Sequence, residues 1–297
     1  MPVFARALAP RPGRACSNGT RGASTRGGPS RNCNSVLDEI SLSVVPSNEN
    51  VRGYWEQEPC GTDRAVVGNL APHTREWFEE VERFRYDVEG YIHSVAQFTR
   101  YHGQTILEVG VGAGTDHLQW ARAGCHCHGV DLTDAAIETT RERLALYGLE
   151  SDLRRIDAES LPFPSDRFDV VYSWGVIHHS AHPDRMVAEI RRVLKPGGQF
   201  IGMMYGRHSV IALRFWVRHA LLKGRPWQSI ADVIGKHVES RGTKAYTVAE
   251  LRSLFAAFTT FSAKPVITVA DTSDWPRTIS RFFPDDWGWF ITLRAHK

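Results

Sequence analysis

From Pro72 to Tyr101 apolar residues recur every three or four positions, with Trp77, Val81, Phe84, Val88 and Tyr91 on one stripe, and predict helix. The period then changes. Thr105-Ile-Leu-Glu-Val109 is a short apolar run ending in Gly110-Val-Gly-Ala-Gly114, which predicts a strand running into a tight turn and then a helix of about ten residues. Cys127 to Asp131 reads as a second strand. Thr133 caps a further helix to Tyr147, which stops at Gly148. Third, fourth and fifth strands follow near Leu153–Ile156, Phe168–Ser173 and Gln199–Met204, the last preceded by the turn Lys195-Pro-Gly-Gly198. Strands alternating with helices predict a parallel sheet covered on both faces, with the carboxyl ends of its strands on one ligand-binding rim. Beyond them, Ser209–Lys223 and Val248–Ala257 read as helices, and Phe258–Val269 and Trp287–Ala295 as two last strands.

Residues 1–48 lack this periodicity and are rich in Arg, Gly, Ser, Pro and Asn, so a disordered tail is expected there. Residues 1–37 hold six arginines and no carboxylate. Setting those six aside leaves 30 of the 36 cationic residues against 33 acids, so the net charge of +3 belongs to the tail and the body is slightly acidic. That balance argues against nucleic acid as a partner. An Arg-rich start is also the pattern of an organellar import signal, but Pro2, Pro10, Pro12 and Gly13 spoil its helix; a cytoplasmic home is the expectation, with import as the alternative. Five cysteines (16, 33, 60, 125 and 127) without a CxxC pair agree with a reducing compartment. Cys125-His-Cys-His128 reads as strand core, not as a metal motif.

The turn at Gly110–Gly114 lets backbone approach a ligand closely, and the helix after it offers free N–H groups to an anion. Its spacing is GxGxG, with Thr115 where a dinucleotide site wants the last glycine, which argues against a pyrophosphate cradle. Asp131 ends the next strand on the same rim, where a carboxylate can bind both hydroxyls of a ribose. Asp157-Ala158-Glu159 ends the third strand, where an acid and a backbone amide can read an adenine edge. Together the three strand ends offer sites for a carboxylate, a ribose and an adenine, the parts of S-adenosylmethionine.

"LEVGVGAGTD", "GVDLT", "DAESLPFPSDRFDVVYSWGVIHH" and "EIRRVLKPGGQFI" resemble, in order, the class I S-adenosylmethionine-dependent methyltransferases of the small-molecule, ubiquinone-biosynthesis-like type 11 group, over about Thr105 to Tyr205. The resemblance implies an α/β, Rossmann-like, doubly wound seven-stranded sheet with its last strand antiparallel. It places Glu108, Gly110, Gly112 and Gly114 at the methionine part of S-adenosylmethionine, Asp131 at the ribose and Leu132 against the adenine. Asp157, Ala158 and the neighbouring Glu159 fall at the adenine edge, and Ser173 below the sulfonium. The expected reaction is in-line methyl transfer to an oxygen, nitrogen or carbon of a small molecule, leaving S-adenosylhomocysteine. A nicotinamide-dependent oxidoreductase on the same sheet, or a catalytically silent cofactor-binding partner protein, are the alternatives.

His178, His179 and His182 follow the fourth strand on that rim. His178 and His182 have i, i+4 spacing, but Pro183 starts a helix only after them and no further ligand is in view, so no metal is expected. His178 is the candidate proton acceptor and Tyr205, at the end of strand five, a second proton-handling or substrate-contact residue. His179, Arg207 and Tyr86 are candidate substrate contacts, and the aromatics around Tyr54, Trp55, Arg85, Tyr86 and Tyr91 can shelter the sulfonium. Arg207, Arg214 and Arg218 form one stripe and Val210, Leu213, Val217 and Leu221 another, so 207–222 is a candidate contact with a membrane or lipid. The expected organisation is a tail (1–48), a helical cap segment (49–101) and a catalytic domain (102–297) with a cap insertion at about 206–246. The sequence is silent on the acceptor and the oligomeric state.

Overall fold

The computed structural model describes residues 48–57, 59–272 and 284–297. Residues 1–47 of the predicted tail, with Cys16 and Cys33, lie outside the described residues, while Asn48, expected in the tail, opens a helix. The chain opens with helix α1 (Asn48–Trp55), short α2 (Arg64–Val67), α3 (Arg75–Val88) and α4 (Ile92–Ala96), then enters the sheet at β1 (Thr105–Val109). α5 (Thr115–Arg122), β2 (His126–Asp131), α6 (Asp134–Leu146), β3 (Asp152–Arg155), β4 (Phe168–Trp174), α7 (Pro183–Val193) and β5 (Leu194–Tyr205) follow. Then come α8 (Val210–His219), α9 (Ile230–His237), α10 (Val248–Leu254), β6 (Thr260–Val266), α11 (Val269–Thr272) and β7 (Phe290–His296).

The seven strands lie in the order β3-β2-β1-β4-β5-β7-β6. β1 to β5 pair in parallel, and β7 inserts antiparallel between β5 and β6. The near-continuous apolar runs of β1 and β4 are the mark of strands covered on both faces. One core layer, under α4, α5 and α8, gathers Ile92, Leu118, Trp120, Tyr172 and Trp289; the other, under α7 and α10, gathers Leu107, Phe168, Ile190, Phe200 and Phe255. Cys127 lies in the core, as its alternation in the strand required.

The predicted helix over Pro72–Tyr101 is interrupted. Thr74 caps α3, which ends at Glu89, and Gln97 in the left-handed region separates α4 from a final turn at Phe98–Tyr101. β5 is longer than expected because Lys195-Pro-Gly-Gly198 is taken into the strand. In α8 the buried positions are Val210, Ile211 and Ala212, whereas Leu213 and Leu221 face outward. Of the apolar stripe read from the sequence, Val210 is buried, Val217 half-buried, and Leu213 and Leu221 exposed. Ile211, with Phe215 one turn on, packs into the core.

Candidate active site

Parallel pairing puts the ends of β1, β2, β3, β4 and β5 on one rim, and a single cavity runs along it. Its first end is built by the glycine turn. Gly110 and Gly114 have φ of 85° and 72°, and a Cβ on Gly110 would stand 2.2 Å from Val176 Cγ2. Only glycine satisfies both the backbone and the neighbouring β4 loop. Gly114 caps α5, so free N–H groups of the helix start lie beside the cavity.

Asp131 stands across from this turn. Its carboxylate accepts from the Gly112 N–H at 3.2 Å and from the Thr133 N–H and hydroxyl at 3.0 and 2.8 Å. Burial raises its pKa against these hydrogen bonds. A carboxylate offers about four acceptor positions, and the Oδ2 side holds one long bond, so capacity for a diol remains. Leu132 and Ala158 provide apolar walls to the same end of the cavity, and Asp157 its edge. These groups fit an adenosyl cofactor: an acid for the ribose, flat apolar walls for a base, and helix N–H groups for a carboxylate.

Glu108 lines the cavity at the end of β1. Its carboxyl lies 3.0 Å from His117 Nδ1, and His117 Nε2 lies 2.8 Å from the Ser151 hydroxyl, which donates to the Cys127 carbonyl. With the Ser151 proton committed, Nε2 donates and Nδ1 is left to accept. Burial and then the charge of Asp116 raise Glu108 well above the carboxylate range, while burial lowers His117 to about 4. The proton between the carboxyl and Nδ1 sits on Glu108, and His117 is neutral.

Next to it lies a network without a signal in the sequence. Asp116 accepts from Arg85 through two nitrogens, from Tyr86 at 3.0 Å and from Tyr172 at 2.8 Å. Burial would raise its pKa, but the Arg85 charge and hydrogen bonds prevail and hold it low. Glu89, raised by burial, accepts from Trp174 Nε1 at 2.9 Å and from Tyr91 at 3.2 Å. Arg85, Glu89 and Asp116 all line the cavity.

The far end is apolar and aromatic, with Trp174, Met203, Tyr205, Trp289 and Phe290, and carries His179, Glu239 and Cys60. Glu239, the first residue past the α9 cap, has φ of 51°, a position usually given to glycine. Its carboxylate accepts the Tyr205 hydroxyl at 3.0 and 3.1 Å. α1 closes the cavity over the adenine end: Val51 and Trp55 face in, and Asn48 bridges Asp157, Glu159 and the Ala181 N–H at 2.8, 2.7 and 2.8 Å.

Of the residues singled out in the sequence, Glu108, Gly110, Gly112, Asp131, Leu132, Asp157, Ala158, His179 and Tyr205 line this one cavity. Six others are placed elsewhere. His178 is fully buried and is not part of the cavity lining, its ring 3.8 Å from that of Tyr205, and burial pushes its pKa well down, which makes it a poor proton acceptor. Ser173 spends its hydroxyl on the Val109 carbonyl at 3.1 Å. Gly114 serves the turn, not the cavity wall. Glu159 ties loops together through the Ser180 hydroxyl, the His182 N–H and ring, and Asn48. Tyr86 is turned to Asp116, and Arg207 to Glu250 in α10. Burial and then the Glu239 charge raise Tyr205 well above the phenol range, so it donates and does not act as a base. Tyr91 likewise faces Glu89, so of the sheltering aromatics read from the sequence Trp55 lines the cavity, together with Phe84, Trp174, Tyr205, Trp289 and Phe290.

Sheet order, glycine turn and ribose-facing acid together define a class I S-adenosylmethionine-dependent methyltransferase fold. Comparison narrows this: residues 107–202 match the family described as "Methyltransferase domain", the type 11 group of S-adenosylmethionine-dependent methyltransferases. The chain is 41% identical over 108 residues to the phthiotriol/phenolphthiotriol dimycocerosates methyltransferase of Mycobacterium leprae, covering 36% of this chain and 39% of that protein. It is 36% identical over 110 residues to the ubiquinone biosynthesis O-methyltransferase of Maricaulis maris, covering 37% and 43%. The chain thus spans about two fifths of the length of the curated relatives it matches. Among solved structures, Haemonchus contortus phosphoethanolamine N-methyltransferase 2, in complex with phosphomonomethylethanolamine and S-adenosylhomocysteine, aligns with a TM-score of 0.51 at 20% identity, over 72% of this chain and 57% of that one; this supports the fold.

Proposed function

We propose that the protein moves the methyl group of S-adenosylmethionine to a small, largely apolar acceptor held between Trp174, Met203, Tyr205 and Phe290. One observation carries the reading: the glycine turn, Asp131 and the Asp157–Ala158 pair line the same cavity as a chamber walled by Trp174, Met203, Tyr205, Trp289 and Phe290. That chamber is the feature that favours methyl transfer over a nicotinamide-dependent reaction.

When bound, S-adenosylmethionine supplies a methyl group already activated by its sulfonium. The chain's own contribution is then alignment, exclusion of water and shelter of positive charge. Asp131 holds the ribose, Leu132 and Ala158 flank the base, and the α5 start receives the carboxylate. The Trp174 face supplies cation–π attraction beside the end of β4. At the acceptor end, Tyr205 and Glu239 offer hydrogen bonds to a polar head, and the apolar walls select an acceptor with a hydrophobic body. The relatives named above are a phthiotriol/phenolphthiotriol dimycocerosates methyltransferase and a ubiquinone biosynthesis O-methyltransferase, names that agree with such a body.

A second feature supports a lipid-borne acceptor. Leu213, Leu221, Leu222 (73% exposed) and Trp227 (77% exposed) stand outward on the 206–246 cap, in a segment that also holds Arg218, Lys223 and Arg225. Large apolar residues among cations suit an anionic interface. Among the described residues no helix is long and apolar enough to cross a membrane, so the contact would be peripheral.

Incubation with S-adenosylmethionine and a panel of phenols, quinols, sterols, amines and fatty acids, read by mass spectrometry for a gain of CH₂, tests the reading. A methylated product in the apolar members is expected. Tight binding of NAD, with S-adenosylhomocysteine failing to bind, would overturn it.

A further inference from the structure

The histidines after β4 meet a ligand that no spacing in the sequence could announce. Glu239 returns from the cap about sixty positions later, and its carboxylate joins the rings of His178 and His179, their ligand atoms all within 4.8 Å of one another. His182, the partner that i, i+4 spacing suggested, is turned away to Glu159 at 2.9 Å.

Proton bookkeeping shows what is missing at this cluster. Thr243 donates its hydroxyl to the Ser240 carbonyl at 2.6 Å, so its oxygen can only accept from His179 Nδ1, 3.0 Å away. Nδ1 therefore bears the proton, and the Nε2 lone pair faces Glu239 Oε2 at 3.2 Å, in a geometry that makes no hydrogen bond. His178 is wholly buried, and neither of its ring nitrogens has a hydrogen-bond partner. The unpartnered His179 Nε2 lone pair and the unpartnered His178 ring thus converge on a carboxylate that accepts from the Tyr205 hydroxyl. A buried arrangement of this kind is costly unless a cation completes it.

We propose that His178, His179 and Glu239 form a binding site for a divalent first-row transition metal in the cavity wall. Two imidazoles and a carboxylate are the donor set of open zinc and iron(II) sites, with positions left for an outside ligand. The outer partners such a site needs are in place: Nδ1–H of His179 is fixed by Thr243 and Ser240, and Glu239 is held by Tyr205. The nearby Lys244 ammonium is occupied by the Ser180 carbonyl at 2.6 Å. Because His179 and Glu239 line the cavity and His178 stands behind them, the open positions face the acceptor chamber. An oxygen of the acceptor would bind there; this last point alone rests on the methyl-transfer reading.

The test uses untagged, chelator-treated full-length protein titrated with Zn²⁺ by calorimetry and with Co²⁺ by visible absorption, with S-adenosylhomocysteine affinity as the check on folding. One equivalent is expected to bind, and Glu239→Gln and His178→Gln should each weaken binding by roughly ten- to a hundredfold or more, whereas His182→Gln leaves it unchanged. Absence of metal binding in a protein that retains S-adenosylhomocysteine would overturn the metal site and spare the methyltransferase reading; the converse result would do the opposite. Equal affinity in Glu239→Gln would also overturn it. If the buried variants do not fold, X-ray absorption of the zinc-loaded native protein decides, with fewer than two imidazole ligands counting against the site.

Discussion

At the scale of single residues, the decisive groups are those whose hydrogen-bond capacity is left unfilled on the cavity side. Asp131→Ala removes the acceptor for two ribose hydroxyls. Two hydrogen bonds to a charged oxygen are worth about 3 kcal/mol, so affinity for S-adenosylhomocysteine should fall roughly a hundredfold in calorimetry. Gly110→Ala forces a Cβ against Val176 Cγ2 at 2.2 Å and a side chain at φ of 85°. A loss of about 2 kcal/mol or more is expected in denaturant unfolding, and Val176→Ala in the same chain should recover part of it. Glu159 gives the pH prediction. Burial would raise its pKa, but its hydrogen bonds from Ser180, Asn48 and His182 prevail and bring it to about 2. A lowered folded-state pKa stabilises the fold above the unfolded value and loses that contribution as pH falls towards the folded one. The stability gap between the native chain and Glu159→Gln should therefore be full, at about 3 kcal/mol or less, near neutrality, and shrink below about pH 4.5.

At the scale of elements, α1 and the cap around α9 do what the sheet cannot: they close the cavity from two sides. α1 is held by Asn48 to Asp157, Glu159 and the loop before α7, and by Glu56, which accepts from the Ala135 N–H at 2.9 Å at the start of α6. Asn48→Ala should loosen the lid without disturbing the core. The expected outcome is a cost of about 1–2 kcal/mol in cofactor affinity, appearing as faster dissociation in stopped-flow measurements, with Tm little changed. The helix and strand alternation over Thr105–Tyr205 was legible because each element carries its own period and its own cap: Thr133 accepts from the Ala136 N–H to start α6, and Pro183 opens α7. Which face of α8 packs was not legible, since an amphipathic stripe shows that a helix has an apolar side but not which neighbours will meet it.

At the scale of the whole molecule, the outward leucines and Trp227 predict behaviour at interfaces. Co-sedimentation with vesicles containing an anionic phospholipid should retain the protein, and the pair Leu222→Ser, Trp227→Ser should release it with cofactor affinity unchanged; equal retention would count against a lipid surface. The parallel sheet and the meeting of the glycine turn, Asp131 and Asp157 on one cavity were legible in the sequence, because each sits at the end of a strand and right-handed crossovers bring those ends to one rim. The acceptor end was not. Arg85 with Asp116, Trp174 with Glu89, and His179 with Glu239 are joined across 31, 85 and 60 positions of chain. A pattern along the chain records periods and strand ends, whereas contacts between side chains so far apart exist only once the helices have packed, and it is packing that put His178 behind the wall and Glu239 in front of it.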